Sequence, residues 1–70
     1  VPELPRDPEL ARLLDAVIGA GGSYFWVGST FVVQVPEDAR ELAAAISERL
    51  SRLGVAHKIE IIRPFRLLGP

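Results

Sequence analysis

The sequence predicts a small α+β domain with the element order α-β-β-α-β, and three observations carry that reading. Leu10, Leu13, Leu14, Val17 and Ile18 recur at the spacing of one helix face. Residues 23–35 read as two alternating strands folded about Gly28 and Ser29. A second helical stripe (Leu42, Ile46, Leu50, Leu53) is followed by an alternating segment that ends before Pro64.

Residues 1–6 form an extended lead-in, because Pro2 and Pro5 oppose a regular helix there. The folded domain spans residues 7–64, and residues 65–70 are a short apolar and basic tail. Asp7 followed by Pro8 and Glu9 is a helix start: a capping carboxylate, a proline at the first helical position and an acid in the first turn. The glycines at 19, 21 and 22 end that helix, since a helix C-terminus favours the left-handed conformation glycine accepts.

Glycine first in a two-residue loop suits the type II′ hairpin, pairing Val27 with Thr30, Trp26 with Phe31, Phe25 with Val32 and Tyr24 with Val33. Alternation then puts Tyr24, Trp26, Phe31, Val33 and Val35 on one face, and Ser23, Phe25, Val27, Thr30, Val32 and Gln34 on the other. One face is the core; the other is too apolar to be left to water.

The second helix is expected over residues 36–53 and the third strand over residues 55–62, with Gly54 between them. Two helices on one face of a small sheet form the simplest single core. The crossover from Val35 to Val55 makes the last strand parallel to the second. The expected strand order is 2-1-3, with the aromatic strand central, or an incomplete ferredoxin-like sheet with a gap. In either arrangement residues 31–35 form an apolar edge open to pairing.

Seventy residues place the chain near the lower size limit for independent folding, where a disulfide, a metal, a partner or a very good core is needed. With no cysteine and His57 as the single histidine, disulfides and thiolate metal sites are excluded, and no metal or cofactor is expected. A partner is the remaining help, either a second copy or another protein domain.

The net charge of −1 gives no global attraction to nucleic acid or anionic lipid. The distribution is uneven: residues 1–48 hold eight acids against three bases, whereas residues 49–70 hold five bases against one acid. Those bases are Arg49, Arg52, Lys58, Arg63 and Arg66, the one candidate contact for a phosphate or nucleic acid. No apolar run reaches the roughly 20 residues of a membrane span and no signal segment is legible, so the compartment is open, cytoplasmic by default.

No catalytic residue is expected. His57 has no second histidine or cysteine to act with, and no serine stands in an activating context. The loop of residues 19–23 follows a helix and precedes a strand, the reverse of a phosphate-cradling loop. Tyr24, Trp26 and Phe31 are the residues a stacking platform would use, but residues 23–35 carry no charge, which favours core packing.

The function expected from these residues is a non-enzymatic interaction or oligomerisation module, self-associating through a sheet face or edge that includes Phe25, Val27, Phe31, Val32, Val33 and Val35. The alternative is a nucleic-acid-binding domain using the basic C-terminal half. A third class is a regulatory module that senses a small ligand.

Overall fold

The computed structural model describes residues 3–63. They fold as α1 (Pro8–Gly19), β1 (Ser23–Val27), β2 (Thr30–Pro36), α2 (Glu41–Arg52) and β3 (His57–Ile62), with a 3₁₀ turn at Glu37–Ala39. The tail at residues 65–70, including Arg66, lies outside the described residues.

Helix α1 begins as its sequence requires. Asp7 is extended, its carboxylate accepts the Leu10 N–H at 3.1 Å, and Pro8 occupies the first turn, where its missing donor costs nothing. At the other end Gly22 N–H donates to the Val17 carbonyl and Gly21 N–H to the Ile18 carbonyl, with Gly21 at φ +95°. This is a Schellman closure, and it turns the chain directly into β1. Helix α2 ends the same way: Val55 N–H bonds Leu50, Gly54 N–H bonds Ser51, and Gly54 has φ +72°. β3 starts at His57 rather than at residue 55, because residue 55 would stand opposite Ser29, which is in the hairpin turn before β2 opens at Thr30.

The β1–β2 hairpin has the register read from the sequence, from Ser23 opposite Gln34 to Val27 opposite Thr30. Gly28 has φ +61° and Ser29 has no positive φ, the sign pattern of a type II′ turn rather than I′. Helix α2 starts later than residue 36. Pro36 (φ −60°, ψ 147°) still belongs to β2, opposite Ile62, and one 3₁₀ turn separates it from the helix proper.

The strand order is β1-β2-β3, with β1 antiparallel and β3 parallel to β2. This corrects both the order 2-1-3 and the gapped ferredoxin-like sheet. The central position covers both edges and both faces, so it goes to the strand with least to show to water. In β2 five of seven positions are buried, whereas β1 has none. Residues 31–35 are therefore not an edge, and no partner can pair along them.

A single core cluster joins Leu10, Leu13, Leu14 and Val17 of α1, Phe31, Val33 and Val35 of β2, and Ile46 and Leu50 of α2, with Ala39. Phe31 sits against Trp26 and Tyr24, with ring centroids 5.0 and 5.6 Å away in tilted geometry. Ile18, expected on the buried stripe, is exposed at the last turn of α1. No helix is long and apolar enough to cross a membrane among the described residues.

Candidate functional site: the outer sheet face and its edges

Opposite the core, the outer face of the sheet carries Ser23, Phe25 and Val27 from β1, Thr30, Val32 and Gln34 from β2, and Lys58, Glu60 and Ile62 from β3. Half of it is satisfied by polar contacts across all three strands. Ser23 Oγ donates to Gln34 Oε1 at 3.1 Å, Gln34 Nε2 donates to Glu60 Oε1 at 3.0 Å, and Lys58 Nζ lies 3.4 Å from Glu60 Oε2. The Gln34 amide and then Lys58 hold the Glu60 carboxyl below its ordinary value.

The other half is apolar. Val32 lies between Phe25 and Lys58 in the register and is 5% exposed; Phe25 and Val27 are 41% and 59% exposed. The structure thus divides the six apolar residues singled out from sequence. Phe31, Val33 and Val35 belong to the core, Val32 is covered within the chain, and only Phe25 and Val27 meet solvent. They have Tyr24, also exposed, beside them on the uncharged edge strand β1.

The basic residues do not gather into one patch. Arg49 Nε and Nη2 reach Asp7 Oδ2 and Oδ1 at 2.5 and 2.7 Å, and Arg52 pairs with Glu48 one turn away at 3.1 Å. Lys58 pairs with Glu60, and Arg63 Nε lies 3.3 Å from Glu37. Each of the four described bases of the candidate nucleic-acid contact therefore faces a carboxylate of its own chain. Arg49 and Arg52 also line an open groove of about 450 Å³ between the helices, but Glu9 and Glu48 share it, so its charge is mixed.

His57 is held at both ring nitrogens. Val55 offers only a carbonyl, 2.9 Å from Nδ1, so Nδ1 donates and Nε2 accepts from Ser47 Oγ at 2.9 Å. The sequence offers no serine in an activating context, and this pair is not legible in it. The signal was indirect: it requires β3 beside α2, which only the topology supplies. The pair has the nucleophile–base–orienter order of a hydrolytic site, but neither residue lines the groove between the helices or the clefts beside Tyr24 and Trp26. It acts here as a clip between α2 and β3. Among the described residues no cluster of histidine or acidic side chains could hold a metal ion.

The chain matches no protein-family model, no curated protein and no solved structure.

Proposed function

We propose that the chain is a non-enzymatic interaction module that self-associates through the outer sheet face at β1. The observation that supports this is the contrast between the two sheet faces. One packs into the core with both helices, while the other leaves Phe25 and Val27 exposed on a strand with no charged residue. Edge strands that stay unpaired are usually protected by charge, proline or a bulge, and β1 has neither charge nor proline. Burying an apolar side chain of this size contributes roughly 1.5–3 kcal/mol before the costs of association.

Light scattering over a hundredfold range of concentration, at two salt levels, tests the reading. Assembly that persists in high salt and falls to a smaller species in Phe25→Ser/Val27→Ser, with far-UV dichroism unchanged, supports it. Assembly that survives this double substitution unaltered, or a chain that stays monomeric throughout, counts against the face. The nucleic-acid alternative has less support, because the described bases are already paired; it requires binding that weakens steeply as salt rises.

A further inference from the structure

The opposite edge of the sheet is β3. The phase of the β2–β3 ladder follows from the bond between Phe31 N–H and the Ala56 carbonyl. In a parallel pair with this register, the even-numbered residues of β3 bond to β2, so the N–H and C=O groups of His57, Ile59 and Ile61 point away from the sheet. Among the described residues no backbone partner meets them. Ile61, on the core side of this edge, is 49% exposed.

We infer that this edge pairs antiparallel with β3 of a second copy, about a two-fold axis through Ile59. Outward-facing groups can meet only outward-facing groups in a ladder, so odd residues must pair with odd residues. Centring on Ile59 uses all three: Ile59 faces its own copy, and His57 faces Ile61 in both directions. On the outer face the same register sets Lys58 of each chain opposite Glu60 of the other. Two cross-strand charge pairs therefore form at once, where like charges would repel.

That self-complementarity favours a second copy over an unrelated strand. The helix flank above agrees with it. The Ser47–His57 bond places Ser47 over the start of β3, and Ala44 and Ser51, one turn to either side, are exposed, small and uncharged. Small side chains on that strip let a second α2 approach closely, with Glu48 and Arg52, paired to each other, at its margin. The product is a continuous six-stranded sheet with a β1 strand at each far edge.

This surface is separate from the Phe25 and Val27 strip, and its test is run in the Phe25→Ser/Val27→Ser background so that failure of one reading does not hide the other. Lys58→Glu and Glu60→Lys should each be monomeric at concentrations where the parent background is dimeric. When mixed, they should form a one-to-one heterodimer, because each then supplies the charge the other needs. Ile59→Cys, in a chain with no other cysteine, should cross-link to itself on mild oxidation, while Ile61→Cys should not. A parent background that is monomeric at every concentration overturns the inference. So do single variants that stay dimeric, or Ile61→Cys cross-linking in preference to Ile59→Cys.

Discussion

Arg49 on α2 grips both carboxylate oxygens of Asp7, the residue that caps α1, across 42 positions of sequence. One side chain therefore starts a helix and ties it to the other helix. Its carboxyl is held below its ordinary value by the Arg49 hydrogen bonds first and the Leu10 N–H next, against partial desolvation. Asp7→Ala removes the cap and the ion pair, Asp7→Asn keeps a capping oxygen and loses the charge, and Arg49→Met loses only the pair. Thermal melts should rank them in that order, Asp7→Ala lowest and Arg49→Met nearest the parent. Equal melting temperatures for Asp7→Ala and Arg49→Met would mean the cap contributes nothing.

Acid should destabilise the fold through two carboxylates. Asp7 and Glu60 have ordinary values of 3.8 and 4.5, and both are lowered in the folded chain. A lowered acid contributes stability that is fully present above its unfolded value and is lost as pH falls through the folded one. The urea midpoint should thus be level from neutrality to about pH 5 and then fall. Asp7→Asn/Glu60→Gln should start lower and fall less steeply; a slope equal to the parent's would show that other groups carry the acid sensitivity.

Gly22 and Gly28 should respond differently to alanine. At Gly22 a methyl group would stand 2.3 Å from the Gln34 carbonyl oxygen and 2.6 Å from Val17 Cγ1, so the end of α1 and the β1–β2 pair would have to separate. The expected cost is about 1–3 kcal/mol or more. Gly28 has open space around it but φ +61°, so Gly28→Ala carries backbone strain alone, about 1–2 kcal/mol. Chemical denaturation should place Gly22→Ala below Gly28→Ala, and the reverse order would mean the loop before β1 yields easily.

Core and strip should separate cleanly in stability. Ile46 is fully buried in the cluster shared by both helices and β2, so Ile46→Ala should cost about 2–5 kcal/mol. Val27, at 59% exposure, should tolerate Val27→Thr within about 0.5 kcal/mol at concentrations too low for assembly. Urea titrations of the two variants, run side by side, measure this. A large loss in Val27→Thr at such dilution would place Val27 in the chain's own packing.

The His57 clip fixes a tautomer. With Nδ1 donating to Val55 and Nε2 accepting from Ser47, nitrogen NMR of the neutral ring should show a protonated Nδ1 and a bare Nε2. Ser47→Ala should cost about 0.5–1.5 kcal/mol, as for one intramolecular hydrogen bond. A ring protonated at Nε2 would mean that the bond to the Val55 carbonyl is not made.

Local chemistry was legible wherever a few neighbouring residues decide the outcome. The Asp7 cap with Pro8, the glycine closures of both helices, the II′ turn and the hairpin register all rest on contacts within about a dozen residues, and the sequence states them. The late start of α2 was less visible, because Pro36 serves equally as a first helical residue and as a last strand residue. Its ladder position opposite Ile62, far along the chain, resolves that.

Alternation determined which residues of each strand share a face, and composition determined that no thiolate chemistry is available. Which strand lies in the middle was decided only by tertiary structure, since periodicity describes a strand's faces and says nothing of its edges. Placing β2 at the centre moved Phe31, Val33 and Val35 from a supposed edge into the core and left the edges to β1 and β3. The pairing of Arg49 with Asp7 and of His57 with Ser47 belongs to the same class of fact. Each joins residues that one local pattern cannot relate, and each exists because burying the two apolar helix stripes against one sheet brings distant polar groups within hydrogen-bond reach.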